Sequence, residues 1–268
     1  MELAERKIIG LVSEDDSGSY LLRTLAGLSE PKTGELWQRF HAYCENQDSF
    51  QIGFIPDDIV CYSEMRTRDF IRGLLWTCSD RDGTEREAVR LLELFDIPLD
   101  EKLLDLTFEQ GRLVVMIQVL MRKPELLLVE NPHAMISDRT YLVLLREWIK
   151  LFKENTRYII AGHTYEDIVF PCEYYLFLRE GNIIAEYPLR DLPNPAKVIT
   201  MTEGDPAKLD ASKMKIIYQN KHKICFIYEE TDMGRLSSRL GQAGCRDYTV
   251  EDIRLEERVF ENYERWLG

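Results

Sequence analysis

The chain has 268 residues, 45% hydrophobic and 30% charged, enough for one large α/β domain or for one domain with a small appendage. Its formal net charge of -13 opposes non-specific binding to nucleic acid and to anionic headgroups. No run of about 18 uncharged apolar residues is present, so no membrane insertion is expected.

The six cysteines (Cys44, Cys61, Cys78, Cys172, Cys225, Cys245) are scattered, with no C-x-x-C pair. They read as reduced thiols, with no metal site and no disulfide framework. The charged opening MELAERKIIG lacks a signal peptide's apolar core, which adds to the expectation of a cytoplasmic protein.

In chain order, Lys7–Ser13 (KIIGLVS) is a short β-branched run, predicted as a buried strand. A polar turn, Glu14–Gly18, leads into a predicted helix over Tyr20–Leu28. Phe50–Pro56 reads as a second strand and Met65–Trp76 as a helix. Arg86–Phe95 puts Ala88, Leu91, Leu92 and Phe95 on one helical face. Arg112–Arg122 is apolar nearly all round, a buried helix ended by Pro124, and Leu126–Val129 is the strand that follows. Tyr141–Phe152 is amphipathic, Arg157–Ala161 is a strand, and Tyr174–Leu178 with Asn182–Glu186 forms a hairpin around Glu180-Gly181. The alternation of strands and helices predicts an α/β fold with a mainly parallel sheet. Leu192–Pro195 is the predicted boundary, giving domains 1–192 and 193–268. The second is a small α+β extension with strands at Lys197–Met201, Lys215–Tyr218 and Ile224–Tyr228 and helices at Met233–Ala243 and Ile253–Trp266.

Four segments stand in a fixed order: IIGLVSEDDSGSYLLRTLAGLSEPKTGEL from Ile8, LTFEQGRLVVMIQVLMRKPELLLVENP from Leu106, IIAGH from Ile159 and YYLFLREGNIIAE from Tyr174. Together they resemble the ABC ATPase family over roughly residues 1–192: Walker A and its helix, signature running into Walker B, H-loop, and the hairpin after it. The resemblance implies the P-loop NTPase-like ABC ATPase fold, with a helical and signature subdomain at about 58–123. The family's two earlier N-terminal β-strands, one carrying an adenine-stacking aromatic, are missing before Lys7. The segment from VEDIRLEERVFENYERWLG is similar to the C-terminal extension of ABC-2-type exporter ATPases.

Within that frame the catalytic chemistry is replaced. A working P-loop needs backbone N–H groups around phosphate, a Lys on the β/γ-phosphates and a hydroxyl on Mg²⁺. Here the loop runs from Ser13 through Asp16 to Gly18, Ser19 and Tyr20. Ser19 stands at the Lys position and Tyr20 at the hydroxyl position. Glu14, Asp15 and Asp16 add carboxylates, and a like charge at roughly 5 Å costs about 3 kcal/mol at an effective dielectric near 20. Walker B ends in Glu130 and Asn131: Glu130 is long enough to reach a metal, whereas Asn131 cannot act as a base. The signature is Leu106-Thr107-Phe108-Glu109-Gln110, without the glycines that let a helix N-terminus approach phosphate. Asp57 falls near the Q-loop position and Ser137 at the D-loop position, while His163 matches the H-loop. Each also has a purely structural reading: an acidic turn, a capped strand end, a hydrogen-bonded histidine.

The resemblance implies a non-hydrolysing subunit with no ATP or Mg²⁺ cofactor expected. It would sit beneath an ABC-2-type permease, peripheral on the inner face of the plasma membrane, paired with itself or with a second ATP-binding subunit. Arg66, Arg68, Phe70 and Trp76 lie where the family docks its permease; the same residues read equally as a plain amphipathic helix. Two alternatives share these observations: a soluble regulatory or interaction protein that kept the fold, and a weak atypical ATPase.

Overall fold

The computed structural model describes residues 8–29, 51–58, 64–74, 81–134, 136–151, 156–168, 172–193, 196–202, 206–220, 222–230, 232–245 and 247–262. The chain divides into two compact units, Met1–Leu189 and Arg190–Gly268, so the division falls a few residues before the predicted Leu192–Pro195 boundary.

The first unit is built on a six-stranded sheet of β1 (Ile8–Ser13), β2 (Ile52–Ile55), β3 (Leu126–Glu130), β4 (Arg157–Gly162), β5 (Tyr174–Arg179) and β6 (Asn182–Pro188), in the order β2-β3-β4-β1-β5-β6. All neighbours are parallel except the β5–β6 hairpin. Strands β1, β3, β4 and β5 are buried along nearly their whole length, as continuous apolar runs in a parallel sheet covered on both faces should be. One row crosses the sheet as Phe54, Leu128, Ile159, Ile9 and Tyr174. Helix α1 (Ser17–Leu25) packs on that face through Leu22 and Leu25, each buried side chain contributing about 1.5–3 kcal/mol.

Helix α1 begins at Ser17, three residues before the predicted start, because the polar turn closes into the helix through a Tyr20 N–H bond to the Asp16 carbonyl. It ends where Gly27 takes a left-handed φ of 74° and the Leu28 N–H returns to the Arg23 carbonyl. The helical region holds α2 (Thr67–Leu74), α3 (Arg81–Leu94) and α4 (Phe108–Met121). Helix α4 starts four residues before the predicted Arg112, since Thr107 and Gln110 form a reciprocal capping box. Helix α5 (Asp138–Leu151) likewise starts before Tyr141, with Ser137 Oγ accepting from the Thr140 N–H.

The second unit has an antiparallel sheet of β7 (Lys197–Met201), β8 (Met214–Gln219), β9 (Ile224–Tyr228) and β10 (Tyr248–Asp252), ordered β10-β7-β9-β8. This is the strand order of the split β-α-β motif, with two short 3₁₀ turns where the first helix would stand. Helix α6 (Met233–Gln242) is capped by Asp232 and sets Leu236 and Leu240 on Ile199, Met201, Phe226 and Tyr228. Strand β10 is absent from the sequence prediction, being short and half exposed. The predicted helix Ile253–Trp266 is corrected to α7 (Leu255–Val259), because Phe260 closes it and Glu261 turns left-handed at φ 53°. The predicted segment beyond Asn262 lies outside the described residues, as do Trp76, Cys44, Cys61 and Cys78.

Candidate nucleotide site

The carboxyl ends of β1, β2, β3 and β4 point the same way, and this edge of a parallel sheet is where α/β folds place their ligands. There the structure brings together Ser13 at the end of β1 with Asp16, Gly18, Ser19 and Tyr20 beyond it, Asp57 after β2, Glu130 at the end of β3 with Asn131 just beyond, and His163 after β4.

The loop after β1 is hydrogen-bonded to its own side chains. Ser13 Oγ accepts the Gly18 N–H at 3.0 Å and donates to the Asp15 carbonyl at 2.9 Å. A Cβ at Gly18 would stand 2.8 Å from Ser13 Oγ, so a larger residue here would displace that hydroxyl and its hydrogen bonds. The Asp15 carboxylate accepts the Ser17 N–H at 2.9 Å and the Glu180 N–H at 2.6 Å. Burial alone would raise the Asp15 pKa, but hydrogen bonds from Ser17 and Glu180 outweigh it and hold the group below its ordinary value. Ser17 Oγ accepts the Gly181 N–H at 2.8 Å, and Glu14 pairs with Arg179 at 2.8 Å. The β5–β6 turn is thereby fastened onto the loop. Tyr20 is 43% exposed. His163, in its Nδ1–H tautomer, donates to the Ser13 carbonyl at 3.3 Å.

The end of β3 is equally occupied. Glu130 is 1% exposed and receives a two-pronged contact from Arg23, Nε to Oε1 at 3.2 Å and Nη2 to Oε2 at 3.0 Å. The Asp57 N–H also reaches Glu130 Oε2 at 3.3 Å. Asn131 holds a left-handed φ of 42°, and its Nδ2 donates to Asp57 Oδ2 at 3.0 Å. Beneath them lies fully buried Arg112, whose guanidinium donates to four backbone carbonyls, those of Pro56, Asp57, Glu130 and Asn131. Burial lowers the Arg112 pKa, against the pull of Asp57, Glu130 and Asp58. Sequence reasoning passed over both arginines. Arg23 was findable as the next basic residue one helical turn beyond Ser19 on the same face. Arg112 was findable as the one basic residue of the largely apolar helix α4.

The signature residues lie at the start of α4. Thr107 accepts the Gln110 N–H at 3.2 Å, Leu106 is half-buried, and Phe108 is 62% exposed. Glu109 accepts the Ser137 N–H at 3.0 Å, and hydrogen bonds from Thr140 and then Ser137 keep its carboxyl below its ordinary pKa. The signature and D-loop positions are thus joined within one chain. On α2 and the loop before it, Arg66 and Arg68 both face Asp100, at 3.5 and 2.8 Å, and Phe70 is half-buried.

The polar groups of this sheet edge are bonded to one another. The Ser17 N–H bonds the Asp15 carboxylate, the Gly18 N–H bonds Ser13 Oγ, and Glu130 is held by Arg23. Among the described residues no group of three or more His, Cys, Asp and Glu is arranged to hold a metal ion.

No protein-family model matches the chain. It is 24% identical over 203 residues to the ribose import ATP-binding protein RbsA of Pseudomonas putida, covering 71% of this chain and 40% of that protein. It thus spans less than half the length of that relative. It is 22% identical over 204 residues to the uncharacterized ABC transporter ATP-binding protein YhaQ of Bacillus subtilis, covering 72% and 65%. Among solved structures, an ATP-binding subunit of an ABC transporter superposes with a TM-score of 0.57 at 18% identity, covering 69% of this chain and 80% of that one. A dimeric ATP-binding cassette in a post-hydrolysis state bound to ADP and Pi gives 0.55 at 16% identity, covering 71% and 88%. No helix among the described residues is long and apolar enough to cross a membrane. Over about 70% of its length the chain therefore has the α/β fold of an ABC-transporter ATP-binding cassette.

Proposed function

We propose that the chain is a non-hydrolysing cassette subunit of a membrane ABC transporter, working beside a permease and pairing with itself or with a second, active ATP-binding subunit. The observation that carries this reading is the bonding of the loop after β1. Asp15 and Ser13 take the N–H groups of Ser17 and Gly18 that a phosphate would need, and Asp15 is further engaged by the Glu180 N–H. Asn131 supports it, since an amide bound to Asp57 supplies no general base. The placement is cytoplasmic and peripheral on the inner face of the membrane, reached through the permease. The ABC-2 exporter type is favoured by the α+β unit that follows the cassette, although RbsA of Pseudomonas putida carries an import name.

Equilibrium titration with a fluorescent ATP analogue and Mg²⁺ tests the nucleotide part. The expected result is no saturable binding into the millimolar range, and micromolar affinity would restore the weak-ATPase reading. Affinity purification of the tagged chain from native membranes tests the partners. Recovery of a permease is expected, with an intact cassette where the chain pairs with a second subunit; a stable assembly found only in detergent-free soluble extract would favour a soluble regulatory protein instead.

A further inference from the structure

At the carboxyl ends of β2 and β3, three carboxylates converge on one atom. Arg23 Nη2 lies 3.0 Å from Glu130 Oε2, 3.5 Å from Asp57 Oδ1 and 3.5 Å from Asp58 Oδ1. Glu130 is 1% exposed, so an uncompensated charge there is strongly unfavourable. Among the described residues the other cation nearby is Arg112, and its four terminal hydrogen bonds all go to backbone carbonyls, leaving the carboxylate oxygens to Arg23 and to the neighbouring Asp57 N–H and Asn131 amide. The carboxylate oxygens stand about 1 Å farther from Nη2 than oxygen ligands stand from a divalent ion, so the spacing is that of a guanidinium.

We infer that Arg23 is a built-in cation that takes the place of a bound metal ion, latching helix α1 to the ends of β2 and β3 so that this edge of the sheet is assembled without metal or nucleotide. Three chain segments meet on one side chain: residues 17–25 through Arg23, the 57–58 loop through two aspartates, and β3 through Glu130. The burial asymmetry sets the direction of the effect. Glu130 is enclosed whereas Arg23 and Asp57 are each about one-third exposed, so losing Arg23 leaves a buried anion with only the field of Arg112 to offset it, while losing both partners leaves no such anion. Residues in contact also couple through packing, but R23Q and E130Q keep much of the side-chain volume, so recovery in the double variant reads the charge.

The inference rests on the reading that this site does not hold a metal–nucleotide complex, and the experiments separate the two. Thermal melting of the full chain is measured for wild type, R23Q, E130Q and R23Q/E130Q, each with EDTA and with Mn²⁺. R23Q is expected to lower the midpoint by at least about 5 °C. The double variant is expected to recover most of that loss, and the wild-type midpoint to be the same in EDTA and in Mn²⁺. R23K, which keeps the charge, is expected to fall between wild type and R23Q, and serves where R23Q does not fold. Hydrogen exchange should quicken together in α1 and at residues 56–58 in R23K or R23Q. A double variant no more stable than R23Q, or an R23K equal to wild type with unchanged exchange, overturns the latch. Saturable Mn²⁺ binding by wild type, read by electron paramagnetic resonance and abolished in E130Q, overturns it too. ATP-analogue binding by wild type would instead sink the underlying reading of the site.

Discussion

Asn131 Nδ2 donates to Asp57 Oδ2 at 3.0 Å, joining the residue after the buried β3 carboxylate to the loop after β2. The amide is a structural donor at a position where an ATPase needs a base. Replacing it with a carboxylate is therefore not a restoration. N131E sets a fourth carboxylate beside Asp57, Asp58 and Glu130, with Arg23 shared among them. The expected outcome is a loss of about 1–3 kcal/mol of stability in urea unfolding and no phosphate release from ATP above background.

Glu109 ties the start of α4 to the start of α5, and the tie is sensitive to pH. Its folded pKa is depressed by hydrogen bonds from Thr140 and Ser137. A depressed carboxylate contributes stability that is present above its unfolded pKa and is lost as pH falls through the folded value. The stability gap between wild type and E109Q should be constant near neutrality and should close below the usual carboxylate range. Urea unfolding of both chains from pH 7 down to pH 3 measures it; a gap that widens in acid contradicts the assignment.

Two glycines should respond in opposite ways. A Cβ on Gly53 in β2 would stand 2.8 Å from Pro124 Cγ, 2.9 Å from Val119 Cγ1 and 3.0 Å from Leu127 Cδ1. G53A is expected to cost about 1–3 kcal/mol by overpacking. A Cβ on Gly73 in α2 meets nothing within 4 Å, so G73A should leave stability unchanged or raise it by up to about 1 kcal/mol. Denaturant midpoints with a shared m-value distinguish the two.

The described cysteines should resist alkylation. Cys172 and Cys225 are 0% exposed, and burial pushes the Cys172 thiol up to about 12. Iodoacetamide at pH 8 on native protein, followed by peptide mass spectrometry, should leave Cys172, Cys225 and Cys245 unmodified until urea is added. Labelling of Cys172 in the native chain would show that the β5 side of the core opens readily.

The apolar runs made the fold readable. Strands such as LLLVE and RYIIAG are continuous because both sheet faces are covered, and the Glu180-Gly181 turn announces its hairpin. Element starts were less readable, because caps such as Thr107 and Ser137 extend a helix beyond its apolar stripe. In the site, the resemblance singled out Ser13, Asp57, Glu130, Asn131 and His163, and the strand order sets them along one sheet edge. What each does there was not legible. Asp15 bonding to Glu180 and Arg23 bonding to Glu130 are contacts over 165 and 107 residues, fixed by tertiary packing and not by local pattern.

The position of β1 between β4 and β5 also governs the order in which the chain can assemble. Ile9 pairs with Ile159 and Tyr174, so the first strand has no neighbour until those later segments have been synthesised. During translation Ile8–Ser13 must wait as an exposed β-branched segment while more than half of the chain emerges. Folding on the ribosome should therefore stall short of completion until β5 is clear of the exit tunnel, and a chaperone that shields short apolar stretches would find its client in that interval.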